Sequence, residues 1–271
     1  MTQHAIDQTF TSTLLATGVR LNYVEQGDPN GPAVIMLHGF SDSSFSWSEV
    51  LPRLSPEFHV FALDQRGHGG SDRPESGYTI GDFAGDVIAF MDAVGLPMAT
   101  VVGHSMGSFI AQRVASIASH RVERLVLIGS TVSRTAILTD LQAEVAELAE
   151  PLPEVFAVEF QASTIHRPLA DSFFKRAVQE TLKVPLRVLR ETVAGWFVEE
   201  RWAAPEHLTM PVLILWGDQD AFFHREDQDA LLAALPLAAF TAYPETGHAL
   251  HWEQPERFAA DLDAFMRGAQ S

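Results

Sequence analysis

The chain has 271 residues, of which 46% are hydrophobic and 20% charged, which is enough apolar material for the core of one sizeable globular domain. Its 18 basic and 35 acidic residues give a formal net charge of −17, so the composition excludes charge-driven binding to nucleic acid or to an anionic membrane. The absence of cysteine excludes disulfides, a thiol nucleophile and thiolate metal ligands.

Strands and helices alternate over most of the chain. Short continuous apolar runs predict strands that are buried on both faces, and apolar residues spaced three or four apart predict helices that pack on them. In chain order, the predicted elements are one or two antiparallel edge strands (11–26), a strand (33–37), a short helix (45–54), a strand (58–63), a helix (79–94), a strand (99–102), a helix beginning at residue 106, a strand (122–128), a strand (212–216), a helix (226–235), a strand (240–243) and a closing helix (255–266). This alternation predicts an α/β fold with a mostly parallel central sheet and helices on both of its faces.

Residues 131–209 interrupt the alternation. Helical patterns punctuated by prolines replace the strands there, between two strands of the predicted sheet. We therefore expect a core domain formed by residues 1–130 and 210–271, with residues 131–209 inserted as a helical cap. Functional sites of such sheets lie at the carboxyl ends of the strands, which is the edge that the inserted cap would cover.

The pattern Gly-x-Ser-x-Gly, centred on Ser105, lies where the strand at 99–102 gives way to a helix. A serine in so tight a turn needs a strained backbone with positive φ, and the two glycines remove side chains that would clash. The helix that begins at Met106 directs free N–H groups and the positive end of its dipole toward the same point. This pattern in a strand–turn–helix context is typical of a nucleophilic serine.

A serine hydroxyl needs a base to remove its proton and an acid to orient that base. The candidate bases are His248 and His251, which follow the last predicted strand, and the candidate acids are Asp218 and Asp220, which follow the strand at 212–216. All four come after strand ends, so we expect the pair that functions to meet the serine at the same edge of the sheet.

The element order, the Gly-x-Ser-x-Gly turn and the chain order Ser, Asp, His resemble those of the α/β-hydrolase superfamily, in particular serine carboxylesterases and lactonases with a helical cap. The resemblance implies that Ser105 is the nucleophile. It implies that Asp220, the second acid of a Gly-Asp-x-Asp pattern, is the acid of a catalytic triad, and that His248, of a Gly-His pair, is its base.

The resemblance also implies an oxyanion hole made by two backbone N–H groups, those of Phe40 in a His-Gly-Phe segment and of Met106. Such donors stabilise the negative charge that develops on the substrate oxygen. Asp64 and Arg66, in a loop similar to the family's Asp-x-x-Gly-x-Gly-x-Ser, are expected to form an ion pair or a turn brace beside the site.

A serine at the turn argues against haloalkane dehalogenases and soluble epoxide hydrolases, which resemble this chain but use a carboxylate nucleophile. Aromatic residues of the predicted cap and of the triad loops predict a pocket for a hydrophobic acyl group. The predicted pocket residues are Phe156, Phe160, Trp196, Phe222 and Trp252. Because the cap has no basic cluster for an anionic substrate, we expect hydrolysis of neutral hydrophobic acyl esters or lactones, including N-acyl-homoserine lactones, through an acyl-enzyme.

Other functions fit the same resemblance. They are carbon–carbon bond hydrolysis, cofactor-free haloperoxidase (perhydrolase) chemistry and, in a different class, a ligand receptor with slow hydrolysis. No two histidines one helical turn apart accompany a carboxylate, so the sequence predicts no metal site, and it predicts no cofactor.

The predicted partner is a small-molecule ester or lactone, and no nucleic acid or membrane partner is expected. Residues 1–10 lack a basic start followed by an apolar run, and no apolar run is long enough to span a bilayer. We therefore expect no signal peptide and a cytoplasmic location, and the oligomeric state stays open.

Overall fold

The computed structural model describes residues 10–133, 135–198 and 202–268. The strands of these residues are β1 (Phe10–Leu14), β2 (Arg20–Gly27), β3 (Ala33–Leu37), β4 (His59–Leu63), β5 (Ala99–His104), β6 (Val122–Ile128), β7 (Val212–Gly217) and β8 (Ala239–Tyr243). They form one sheet in the order β1-β2-β4-β3-β5-β6-β7-β8. β2 is antiparallel to β1 and β4, and the other neighbouring strands are parallel. The predicted α/β fold with a mostly parallel sheet is confirmed.

Helices pack on both faces of the sheet and also fill the segment between β6 and β7. They are α1 (Ile80–Ala93), α2 (Met106–Ile117), α3 (Ala136–Glu147), α4 (Glu154–Ser163), α5 (Asp171–Leu182), α6 (Leu186–Gly195), α7 (Arg225–Ala234), α8 (Leu250–Glu253) and α9 (Pro255–Met266). Successive side chains of β3 point to opposite faces, so Ile35 packs in the core shared with α1 and α2, whereas Val34 packs in the core shared with α9. Burial on both faces explains why central strands such as β3 and β7 are unbroken apolar runs.

Four consecutive helices, α3 to α6, lie between β6 and β7, within the predicted cap. Aromatic side chains from this part of the chain pack on the core. Trp202 stacks on Phe109 of α2 with ring centroids 3.7 Å apart, and Trp196 meets Phe40, which follows β3, edge to face at 5.2 Å. The division of the chain into two domains at residues 131 and 209 stays a prediction.

The structure differs from the sequence prediction in two short segments. The prediction of one helix over 45–54 is wrong, because the chain forms two 3₁₀ helices there, Ser44–Trp47 and Leu51–Arg53. Pro52 lies in the first turn of the second 3₁₀ helix, and because it has no N–H it cannot donate the hydrogen bond to Ser48 that a single continuous α-helix would need. The short α8 is not predicted, since four residues are too few to display a helical period.

No helix among the described residues combines the length and apolar character needed to cross a bilayer. The segment for which no signal peptide is predicted lies, apart from Phe10, outside the described residues.

Candidate active site

Ser105 occupies the turn between β5 and α2. Its backbone has φ 51° and ψ −119°, the positive φ predicted for this position, which a residue with a side chain adopts only under strain. A Cβ on Gly103 would lie 2.1 Å from the Gly107 carbonyl oxygen, and a Cβ on Gly107 would lie 2.2 Å from the Leu37 carbonyl oxygen. The Gly-x-Ser-x-Gly pattern is therefore a packing requirement of this turn.

The side chain of Ser105 is left available by the turn. The residue stands at the N-cap of α2, where a serine hydroxyl ordinarily accepts an N–H of the first helical turn, but its side chain makes no such bond. Its own N–H donates to the Ile128 carbonyl at 2.9 Å. The half-buried residue borders a cavity at the positive end of the α2 dipole.

Two loops at the carboxyl edge of the sheet bring an acid and a base together. Asp220 follows β7, His248 follows β8, and His248 Nδ1 lies 2.8 Å from Asp220 Oδ2 with both side chains buried. The other carboxylate oxygen, Oδ1, accepts the N–H groups of Phe222 at 2.8 Å and Phe223 at 3.0 Å, which fixes the carboxylate plane. Gly129, directly after β6, leaves room for the pair, since a Cβ there would lie 2.7 Å from the His248 ring.

The alternative acid and base lie elsewhere. Asp218 is exposed to solvent. His251 is fully buried, and its Nε2 lies 3.0 Å from Ser46 Oγ. Of the four candidates, the structure therefore brings together Asp220 and His248.

Of the two backbone donors predicted for an oxyanion hole, Met106 follows Ser105 in the chain and Phe40 lines the cavity that Ser105 borders. Met106 is the first residue of α2, so its N–H has no acceptor inside the helix. Phe40 follows β3, and its N–H has no acceptor among the described residues. Ser41, the next residue, has φ 62°, so the loop turns sharply after Phe40.

A narrow cavity reaches Ser105 and His248. About 20 Å³ of it is open to the centres of water molecules, which is room for one or two waters. Its other walls are Gly39, Phe40, Asp42, His104, Leu138, Leu141, Phe160, Gln161, Thr164, Trp196, Phe222 and Phe223. In the described part of the chain no hydrogen bond joins the Ser105 hydroxyl to the His248 ring. Catalytic hydrogen bonds are often long without substrate, so the shared cavity is the informative observation.

Three of the five predicted pocket residues line the cavity, and the other two lie elsewhere. Phe160, Trp196 and Phe222 line the cavity. Phe156 lies one layer behind, stacked on Phe160 with ring centroids 5.9 Å apart. Trp252 packs in a separate hydrophobic cluster beside Phe173 rather than on the cavity.

Two polar residues of the cavity wall, Asp42 and Gln161, have no motif that predicts them. The one hint for Asp42 is its position two residues after Phe40. Burial raises the pKa of the Asp42 carboxyl to about 7, although the hydrogen bond from Gln161 Nε2, 2.9 Å long, acts in the opposite direction. The cavity thus holds a carboxyl group that does not belong to the acid–base pair.

Neutral histidines surround His248. Burial lowers the pKa of His104 and of His251 well below the ordinary value, and proximity to other histidines adds to the effect. The ring centroid of His104 lies 4.8 Å from that of His248. Because both neighbours stay uncharged near neutral pH, a proton taken up by His248 would meet no fixed positive charge from them.

The loop after β4 supports the site through two separate interactions. Arg66 forms a buried ion pair, with Nε 2.6 Å from one carboxylate oxygen of Asp86 and Nη2 2.6 Å from the other. Asp64 accepts the N–H groups of Ser44 at 2.7 Å and Gly70 at 2.8 Å. Asp64 is therefore a turn brace, and Arg66 is an ion-pair partner of α1 rather than of Asp64.

Within residues 10–133, 135–198 and 202–268, no group of three or more His, Asp or Glu side chains is arranged to hold a metal ion. The polar groups around the cavity include a serine hydroxyl, a histidine oriented by a carboxylate, and free backbone N–H groups. This arrangement can perform acyl transfer to the serine.

The sequence and the fold of the chain are similar to those of several known proteins. The chain is similar to 3-oxoadipate enol-lactonase 2 of Acinetobacter baylyi, with 25% identity over 265 residues that cover 95% of this chain and 97% of that protein. Its fold matches an esterase from Exiguobacterium antarcticum (TM-score 0.85, 18% identity, 96% and 100% of the two chains covered). It also matches the enol-lactonase from Burkholderia xenovorans LB400 (TM-score 0.84, 19% identity, 95% and 100% covered). A family model described as the alpha/beta hydrolase fold matches residues 32–255, so this chain belongs to the α/β hydrolase family.

Proposed function

We propose that this protein is a serine hydrolase that cleaves carboxylic esters, with Ser105 as nucleophile, His248 as general base and Asp220 as the acid that orients it. The observation that carries the proposal is the buried 2.8 Å hydrogen bond between His248 Nδ1 and Asp220 Oδ2, at a cavity that Ser105 shares. With Nδ1–H held by the carboxylate, the lone pair of Nε2 is free to take a proton.

In the proposed mechanism, His248 Nε2 removes the Ser105 proton as Oγ attacks the acyl carbonyl carbon. The backbone N–H groups of Phe40 and Met106 stabilise the oxyanion of the tetrahedral intermediate. The alcohol leaves with the proton from His248, and an acyl-enzyme remains. His248 then activates a water molecule, which releases the acid and restores the serine.

The cavity wall supports a neutral substrate. Among the described residues that line it, none is lysine or arginine, so no fixed positive charge is present to bind an anionic acyl group. Aromatic and aliphatic walls favour an apolar acyl chain. The small free volume favours short acyl chains over the long chains of N-acyl-homoserine lactones, unless the aromatic wall moves.

An outer groove bears on how the cavity could open. It has about 330 Å³ open to the centres of water molecules, and it shares Leu141, Phe160 and Phe222 with the inner cavity. These three side chains therefore separate the groove from the space around Ser105. Rotation of the Phe160 or Phe222 ring would join the two spaces and admit a larger ester.

Lactones are a second candidate substrate class. The 25% identity to an enol-lactonase over nearly the whole chain supports this alternative. Ring opening needs the same nucleophile, base and oxyanion donors, and the leaving alcohol simply stays attached to the acyl-enzyme.

The deciding experiment measures proton release in a pH-stat for the wild type, Ser105→Ala and Ser76→Ala. Ser76 is an exposed serine in the loop before α1 and serves as the matched control. The panel holds short- and long-chain methyl esters, simple lactones and N-acyl-homoserine lactones. Peptide mapping after labelling with a fluorophosphonate reports the nucleophile independently of the substrate.

We expect rapid turnover in the wild type and in Ser76→Ala, loss of turnover in Ser105→Ala, and labelling of Ser105. Turnover by Ser105→Ala near the wild-type rate would overturn the proposal. No hydrolysis of any ester or lactone by folded protein would also overturn it. In that case carbon–carbon bond cleavage, peracid formation and slow, receptor-like hydrolysis would be measured next.

A further inference from the structure

Asp42 and Gln161 form a polar patch in an otherwise mostly apolar cavity wall. Asp42 lies in the loop after β3 and is 5% exposed, and Gln161 lies on α4 and is fully buried. Gln161 Nε2 donates to Asp42 Oδ1 at 2.9 Å and to Thr181 Oγ1 of α5 at 2.8 Å. The patch therefore joins the loop that carries Phe40 to two helices over the site.

In this patch the hydrogen-bond donors have partners, but some of the acceptors do not. Both Nε2 hydrogens of Gln161 have acceptors, but its Oε1 is buried and has no donor among the described residues. A carboxylate has about four lone-pair sites. Of the Asp42 side chain, only Oδ1 receives a side-chain hydrogen bond from the described residues. The Gly39 N–H also interacts with the Asp42 carboxyl group and lowers its pKa. The unused capacity is thus that of acceptors, namely Gln161 Oε1 and the remaining lone pairs of the Asp42 carboxylate.

Buried polar atoms without a partner are rare, because an unmade hydrogen bond costs free energy. If Gln161 served only to hold the loop against α4, its two Nε2 hydrogen bonds would be sufficient. That role would not explain the unpartnered acceptor Oε1 of a residue in the cavity wall. A bound group that carries an O–H or N–H donor would satisfy both residues. It would reach them from the space that also contacts Ser105, because the same cavity borders all three residues.

We propose that Asp42 and Gln161 form a subsite that binds a hydroxyl or amino hydrogen-bond donor on the acyl chain of the substrate, close to its reacting carbonyl. This inference rests on the proposed function, since it names the acyl group that the Ser105 site takes. Apolar walls then hold the rest of a short chain, and the donor distinguishes a hydroxy- or amino-substituted ester from its plain analogue.

The test compares methyl butyrate with its α-hydroxy, β-hydroxy, β-methoxy and β-amino derivatives. The methoxy ester has nearly the same shape as the hydroxy ester but no donor, and the amino ester distinguishes a cation from a neutral donor. The proteins are the wild type, Asp42→Asn and Gln161→Met, with Asp218→Asn as a control that removes a carboxylate outside the cavity. Measurements are made at about pH 8, where Asp42 is charged, and thermal melting checks that each variant is folded.

We expect wild-type kcat/KM for the better donor-bearing ester to exceed that for the plain and methoxy esters by about 10-fold or more, the typical effect of a hydrogen bond to a charged group. In Asp42→Asn and Gln161→Met this ratio falls toward one, and in Asp218→Asn it stays at the wild-type value. A wild-type ratio near one, a preference for the methoxy ester, or an unchanged ratio in both cavity variants would refute the subsite.

Binding separates this inference from the proposed function. Calorimetric titration of Ser105→Ala with the same esters needs no turnover. We expect the donor-bearing ester to bind about 10-fold more tightly than the methoxy ester, and this difference to be lost in the double variant with Asp42→Asn. Failure of hydrolysis with this difference present refutes the proposed reaction alone, whereas hydrolysis of all esters without the difference refutes the subsite alone.

Discussion

Replacement of Asp220 by asparagine changes one oxygen to an amino group and nothing else in shape. The orientation of the new side chain is set by the backbone, because Oδ1 accepts two N–H groups, at 2.8 and 3.0 Å. The amide oxygen must keep that position, so the amino group of the asparagine faces His248 Nδ1. A donor there requires Nδ1 to be the acceptor, and the ring proton then sits on Nε2. In this tautomer His248 cannot take the proton of Ser105.

The expected loss of kcat/KM in Asp220→Asn is about 10⁴-fold, or about 5 kcal/mol of transition-state stabilisation, as found when a triad acid is replaced without loss of geometry. Folding should change little, since the backbone hydrogen bonds survive. Hydrolysis of methyl butyrate in a pH-stat gives the rate. Nitrogen chemical shifts of His248 give the tautomer directly, and Asp218→Asn is the matched control.

Retention by Asp220→Asn of more than about a tenth of the activity would contradict this reasoning. An equal loss in Asp218→Asn would contradict it as well, because that residue is exposed to solvent and the partner of His248 Nδ1 is Asp220. A large loss of activity with the tautomer unchanged would show that the carboxylate acts through its charge and not through orientation.

Three further predictions concern stability. Gly107→Ala places a Cβ 2.2 Å from a carbonyl oxygen of β3 and should lower the melting temperature strongly. Gly85→Ala adds a Cβ in open space on α1 and should raise the free energy of unfolding by about 0.5–1 kcal/mol. Thermal melting of both variants tests this contrast. Asp86→Ala leaves the Arg66 guanidinium buried without its carboxylate and should lower the free energy of unfolding by about 3–5 kcal/mol in urea titrations, and a loss below 1 kcal/mol would contradict the buried pair. Burial raises the pKa of Asp42 from 3.8 to about 7, so the folded state holds this proton more tightly than the unfolded chain does. The wild type should therefore lose stability relative to Asp42→Asn as the pH rises from about 4 to 7. Urea titrations that give the two proteins parallel curves of unfolding free energy against pH would refute this.

The parts of the fold that the sequence predicts are those in which one physical requirement dominates. A strand buried on both faces must be continuously apolar, and β3, in which all five residues are apolar and buried, matches the predicted limits. The turn at Ser105 has glycines because backbone atoms lie about 2 Å from where side chains would start. Residue type and position leave two candidate acids and two candidate bases, and the resemblance favours Asp220 and His248. The structure shows that these two side chains are in contact.

Features that depend on distant contacts leave no such pattern. Arg66 and Asp86 are 20 residues apart, and nothing local indicates that they pair. Gln161 reads as one polar residue on an amphipathic helix, although it is buried against Asp42, 119 positions earlier. The division of the aromatic residues between the cavity wall and the layers behind it is likewise a matter of packing, since all of them are equally apolar.

The unusual backbone of Ser105, the proposed nucleophile, lowers the stability of the folded protein at this position. A φ of 51° with ψ of −119° suits glycine, and a serine held there costs about 1–3 kcal/mol. The helix that it begins also lacks a side-chain cap, a bond that is worth about 1 kcal/mol where it forms. Ser105→Gly should therefore be a more stable protein than either the wild type or Ser105→Ala, and differential scanning calorimetry of the three would reveal that order. Selection for stability alone would remove the serine, and the proposed role of Ser105 as nucleophile would explain its presence at this position.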